Sequence, residues 1–251
     1  MIVDRFLRHV PVIEERIRLA RLDTLVLGLG PTAWLFPWMK PALFAGMRLF
    51  GVNDGERITK VNDLVVLDLP IDELNQDSER HHMIRKTKAD RLWIYKPFIE
   101  DWAALLPPDV LDRTKAVDWN AYNAAKSTGL EDFPLTMPPL QPYTSGVSPL
   151  GAATLAWQQG CRRIGILGCD MMPGHHSSHA VACQVDAFFT SISRQATKQG
   201  GLILNLSPCT SLQNFAAVSQ SAFLSELTGG SVKQERSVFL SGASASTAPA
   251  Q

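Results

Sequence analysis

The chain has 251 residues, 45% of them apolar, and its 24 basic residues balance 24 acidic ones. That length and apolar share suit one large α/β domain with a well-buried core. Zero formal charge gives no support to the broad phosphate-tracking surface of a polynucleotide binder, and no window nears the ~18 consecutive apolar residues of a membrane helix. The start, Met1-Ile2-Val3-Asp4-Arg5-Phe6, has early charges and no uninterrupted apolar run, so no secretion signal is expected. Cys161, Cys169, Cys183 and Cys209 show no CxxC spacing and read as free thiols in a reducing cytoplasm.

In chain order, residues 4–20 place Phe6, Leu7, Val10, Ile13, Ile17 and Ala20 at helical spacing. This predicts an amphipathic helix within residues 1–22, started or kinked at Pro11 and lying against the domain. Short apolar runs follow: Leu25 to Leu27, Leu49 to Val52, Leu64 to Leu67 and Leu92 to Tyr95. Each ends in glycine, proline or polar residues. Such runs predict strands of a predominantly parallel sheet covered by helices on both faces, a Rossmann-like α/β fold spanning residues 23–240. Residues 71–88 are the clearest helix between them. Residues 107–147 hold six prolines and little periodicity, which predicts an irregular, lid-like insertion. Order resumes with a helix from Ser148-Pro149 to Gln159, a strand over 163–167, a helix over 180–199, a strand over 202–206 and a helix from 211. Residues 241–251, rich in Ala and Ser, read as a disordered tail.

Gly28-x-Gly30-x-x-Ala33 after the first strand matches the dinucleotide-binding pattern, with Asp54 where a ribose-binding acid would stand. An NAD(P)-dependent oxidoreductase is therefore one reading. Pro31, Pro37 and Pro41 oppose it, because they interrupt the helix that should carry the pyrophosphate. The same turn can also join strand to helix and bind nothing. Where a ligand does bind, backbone N–H groups at the glycine turn and a helix start suit a phosphate. Asp68 and Asp170 end strands on the ligand side, where each can bind a ribose hydroxyl or cap its own turn. Trp34, Trp38 and Trp102 are candidates for stacking on a base or sugar.

The second half carries more specific signals: Thr144-Ser145-Gly146-Val147, then Gly168-Cys169-Asp170, then Gly174-His175-His176-Ser177-Ser178-His179, then Asn205-Leu206-Ser207-Pro208. With Gly28-Leu29-Gly30-Pro31-Thr32 and Asn53, these stand in the order found in the family 42 glycosyltransferases, the bacterial sialyltransferases. The chain resembles that family over roughly residues 23–215, together with related phage and archaeal proteins grouped with pterin-diphosphokinase-like domains. The resemblance implies metal-independent, inverting transfer of a sugar from a nucleotide-sugar co-substrate, with no tightly bound cofactor. By position it implies that Gly28, Gly30, Thr32 and Asn53 face the nucleotide and that Thr144, Ser145 and Gly146 line the donor pocket. It also implies that a histidine of the 175–179 cluster is the general base, His179 first and His176 second. Members acting on sialic acid have Asn where this chain has Leu29, and a tyrosine where it has Ser148, so another nucleotide sugar fits as well.

Transfer of this kind passes through an oxocarbenium-like state while charge builds on the departing phosphate. Oriented N–H donors can hold that charge, and a neutral imidazole within hydrogen-bond reach can take the acceptor's proton. The resemblance implies a glycan hydroxyl as acceptor, with a hydroxylated base in phage-type DNA as the alternative, and a homo-oligomer is compatible with the sequence. Asp170, His175 and His179 have zinc-ligand chemistry, but HExxH and any cysteine pair are missing. A pterin diphosphokinase-like transferase, needing Mg²⁺ and clustered carboxylates, and a non-catalytic nucleotide-binding protein are the remaining readings.

Overall fold

Thr24–Leu27 forms β1, and each of its four residues is buried. A strand without polar alternation has both faces covered, and the sheet around it shows how. The computed structural model describes residues 6–66, 79–95, 103–117, 148–171 and 179–229. Within them β1 is joined by β2 (Arg48–Val52), β3 (Asp63–Val66), β4 (Arg91–Tyr95), β5 (Thr114–Val117), β6 (Arg163–Leu167) and β7 (Leu202–Asn205). All pairings are parallel, and the seven strands run in the order β5-β4-β3-β2-β1-β6-β7. The chain builds outward from β1 to β5, then returns to lay β6 on the free side of β1. Strand order therefore reverses between β1 and β6.

Among the described residues six α-helices accompany the sheet: α1 (Val10–Ala20), α2 (Glu79–Arg85), α3 (Pro108–Arg113), α4 (Ser148–Gln158), α5 (His179–Lys198) and α6 (Gln213–Leu227). Side-chain alternation along the strands sorts the core into two layers. Leu25, Leu27, Leu64, Val66, Leu92 and Ile94 pack with α1, α2 and α3 through Ile13, Ile17, Ile84 and Val110. Val26, Phe50, Val65 and Ile166 face the other way, onto α4 and α5. Helix α6 closes the β7 side and serves both layers, with Phe215 in one and Phe223 in the other. From Ser148 to Trp157 every residue of α4 is buried. A helix this apolar all round belongs inside, and α4 packs on β1, β2, β3, β6 and α5.

One sequence expectation changes. The stretch 107–147, read as irregular, opens instead with α3 and the edge strand β5. Pro107 and Pro108 masked the helix, because proline at a first turn looks like loop composition although its missing N–H costs nothing there. β5 is four residues, Thr-Lys-Ala-Val, with Lys115 and Ala116 exposed, so no apolar run announces it. Residues 118–147 lie outside the described residues, as do 71–78 of the helix expected over 71–88 and the tail 241–251. Between β1 and β2 there is no α-helix. Two 3-10 helices, Pro31–Trp38 and Pro41–Phe44, take its place, each opening on a proline, with Pro37 inside the first. The pyrophosphate helix that the NAD(P) reading requires is absent there, for the reason its prolines gave.

Candidate functional site

In an open parallel sheet, ligands bind beyond the carboxyl ends of the strands where their order reverses. Here that point lies between the turns that follow β1 and β6, flanked by those after β2 and β7. The turn after β1 is held by the turn after β6. Gly28 N–H donates to Leu167 O at 2.8 Å and Gly30 N–H to Gly168 O at 2.7 Å. Thr32 N–H donates to Asp170 Oδ2 at 2.8 Å, and Thr32 Oγ1 to Asp170 Oδ1 at 2.5 Å.

The network continues onto β7. Thr32 Oγ1 lies 3.1 Å from Ser207 Oγ, which accepts a hydrogen bond from Gly168 N–H at 3.1 Å. Because the Thr32 hydroxyl gives its proton to the carboxylate, Ser207 must donate to Thr32. Ser207 N–H in turn donates to Asn205 Oδ1 at 2.9 Å, and Ser211 N–H to the Asp170 carbonyl at 2.9 Å. Thr32 is 0% and Asp170 1% exposed, so water does not compete for these bonds.

This geometry corrects the expected phosphate cradle. The amides of Gly28, Gly30 and Thr32 donate to protein acceptors, and the Asp170 carboxylate takes the anion position at the start of the first 3-10 helix. The glycines answer to packing. A Cβ on Gly28 would stand 2.3 Å from Gly168 O, and one on Gly30 would stand 2.6 Å from Asp170 Oδ2. Gly168 has φ +81°, and its Cβ would meet Ala33 Cβ at 2.4 Å. Gly168→Ala is therefore expected to combine left-handed strain with overpacking and lower stability by about 3 kcal/mol or more. Gly46 has the same φ of +81° with nothing within 4 Å, so Gly46→Ala should carry the strain alone, about 1 kcal/mol. Urea unfolding of both variants checks this, and equal losses would refute the packing role.

After β2, Asn53 adopts φ +48° and is 6% exposed, with its N–H donating to Val65 O at 2.9 Å. Asparagine tolerates this conformation, so its placement needs no glycine. Asp54 follows and lies 3.9 Å from Arg57, within the short 3-10 turn Gly55–Arg57. Helices α4 and α5, each leading into the next strand, start at this same end of the sheet, at Ser148 and His179. The start of α6 has its own anion. Asp186 accepts from Asn214 N–H at 3.0 Å, Asn214 Nδ2 at 2.8 Å and Phe215 N–H at 2.8 Å.

Of the residues expected at the site, Gly28, Gly30, Thr32, Asn53 and Asp170 gather at these strand ends. His179 is the first residue of α5. Asp68, Thr144, Ser145, Gly146 and His176 lie outside the described residues, as does Trp102. Ser207 and Asp186 were not anticipated. Ser207 stood within the Asn205-Leu206-Ser207-Pro208 motif and so was legible, whereas a lone aspartate inside α5 gave no signal. Leu29 and Trp34, 39% and 42% exposed, are large apolar side chains on the outside of the β1 turn. Burial and the neighbouring Asp170 charge push the Cys169 thiol well up, which removes it as a nucleophile. All four cysteines are free thiols. Among the described residues no three His, Cys, Asp or Glu side chains gather as a metal site. No helix among them is long and apolar enough to cross a membrane. A shallow pocket lined by Ile17, Leu22, Leu43 and Met47 lies at the opposite, amino end of the strands.

No protein-family model matches the chain, and no curated protein matches its sequence. A solved structure of the sialyltransferase CstII from Campylobacter jejuni, in complex with the substrate analogue CMP-3FNeuAc, is similar with a TM-score of 0.45 and 11% identity, over 77% of this chain and 84% of that chain. The fold assignment rests on the sheet itself.

Proposed function

We propose that the protein is a nucleotide-sugar-dependent glycosyltransferase of the sialyltransferase-like kind, transferring a sugar with inversion and without a metal to an acceptor hydroxyl. One observation carries this reading beyond the motifs. Asn53, the Thr32–Asp170 turn pair and the helix that opens on His179 all come to the end of the sheet where strand order reverses. Motifs scattered through the sequence are thereby drawn to one end of one sheet.

In this reading the nucleotide lies along the ends of β1 and β2, against Asn53. The donor phosphate sits at Thr144, Ser145 and Gly146, ahead of α4, because the amides of the glycine turn are already engaged. The N–H groups at a helix start carry the positive end of its dipole and favour the departing phosphate. The acceptor oxygen attacks the anomeric carbon while the bond from that carbon to the phosphate oxygen breaks. The bonding pair leaves with the phosphate, and the imidazole of His179 takes the acceptor's proton. A glycan hydroxyl is the acceptor, and a hydroxylated DNA base is the alternative that the same chemistry permits.

A thermal-shift panel tests the donor class. A cytidine or uridine nucleotide at about 100 times its Kd should stabilise the fold by about 2.7 kcal/mol. A shift with NADPH only would favour the oxidoreductase, and a shift with ATP and Mg²⁺ only the diphosphokinase. A pyrimidine-nucleotide shift without transfer to any acceptor would leave a binding protein. No shift with any pyrimidine nucleotide would end the proposal.

A further inference from the structure

We infer that Asp170 is a positioning residue that, with Thr32, locks together the turns after β1, β6 and β7 and so fixes where the chain leaves for α5. The inference rests on the glycosyltransferase reading and assigns Asp170 a different task from holding a ribose hydroxyl. Asp170 ends the turn after β6, and the chain leaves that turn toward His179. Its main chain is tied by Ser211 N–H to the carbonyl at 2.9 Å, and its side chain by Thr32 N–H and Oγ1 at 2.8 and 2.5 Å. Turns after three strands thus meet on one residue. Next to it, Met171 takes φ +48°, an uncommon conformation for a long side chain that surrounding contacts must hold in place.

The charge matters as well as the shape. A carboxylate accepting an amide N–H and a hydroxyl at the start of a 3-10 helix forms charge-assisted bonds, about twice as strong as neutral ones. Thr32 in turn is braced by Ser207, so the lock spans β1, β6 and β7. The lock fixes, relative to Asn53, the point from which the chain sets out toward α5. The Thr32–Asp170 pair joins the turns after β1 and β6 across the reversal point, where consecutive strands in space are not consecutive in sequence.

Amide hydrogen exchange on Asp170→Asn, Thr32→Val and Thr32→Ser tests the lock without reference to activity. Asp170→Asn and Thr32→Val should speed exchange about tenfold or more in peptides covering both 28–36 and 168–185, with 202–205 unchanged. Thr32→Ser, which keeps the hydroxyl, should keep the native pattern. Faster exchange confined to 28–36 would make Asp170 a local cap and overturn the inference, as would no change at all. On the functional side, Asp170→Asn should lower kcat at least tenfold while leaving KM for the donor and the nucleotide-induced Tm shift in place. Loss of that shift with native exchange would instead make Asp170 a ligand contact. Should the unaltered protein neither bind a nucleotide nor transfer a sugar, the glycosyltransferase reading fails, and the exchange arm still decides the lock.

Discussion

Replacing Arg48 by alanine should destabilise the fold by about 3 kcal/mol. Asp63 is 1% exposed at the start of the interior strand β3, and its carboxylate receives Arg48 Nε at 2.6 Å, Arg48 Nη2 at 2.8 Å and Trp93 Nε1 at 2.7 Å. Hydrogen bonding to Asp63 holds the Arg48 guanidinium above its ordinary range. The arginine also lies 4.9 Å above the Phe50 ring. Removing it leaves a buried carboxylate with the indole N–H as its remaining donor from this set. The arginine is itself partly solvated, its side chain 24% exposed, which sets the figure at the lower end for a broken buried pair. The double replacement Arg48→Met with Asp63→Leu removes both charges, and it should recover most of the loss. Urea unfolding of wild type, both single variants and the double variant measures this as a cycle. An Arg48→Ala midpoint matching wild type would refute it.

His179→Ala should reduce sugar transfer by about 10²–10⁴-fold and leave the nucleotide-induced thermal shift intact. The separation follows from the proposed role: a base acts on the acceptor's proton, whereas the proposal gives donor affinity to Asn53 and to residues 144–146. His176→Ala is the comparison. If the larger loss falls on His176, the base moves three residues back in the sequence and the rest of the mechanism stands. Full turnover in both single variants would remove histidine catalysis from the proposal. Alanine at a first helical position is itself a good helix former, so α5 should survive the change, and far-ultraviolet circular dichroism checks that it does.

The strands were readable because they are buried on both faces. Leu25-Val26-Leu27, Leu64-Val65-Val66 and Ile164 to Leu167 present unbroken apolar runs, which few other elements of this length do. Helix α5 was equally plain, since its apolar positions repeat at helical spacing over twenty residues. The prolines at 31, 37 and 41 correctly ruled out an α-helix after β1. β5 was not readable, because an edge strand of four mixed residues has one neighbour and little to bury. At the site, Asn53 and Asp170 were legible as polar residues closing apolar runs, and the glycines as punctuation. Gly28 and Gly30 look in sequence like a cradle for a ligand, and in the fold they make room for another strand's turn.

Sequence by itself determined the fold class, the positions of every described strand but β5 and which residues stand at their ends, because local apolar patterning and turn chemistry follow from residues close in the chain. Tertiary structure decided what those strand-end residues touch. Thr32 and Asp170 are 138 positions apart, and they meet because β6 pairs with β1 rather than with β5. That pairing is a long-range choice made by the whole sheet. No window of sequence contains it, so only the folded chain could show that the anion at the glycine turn is the protein's own.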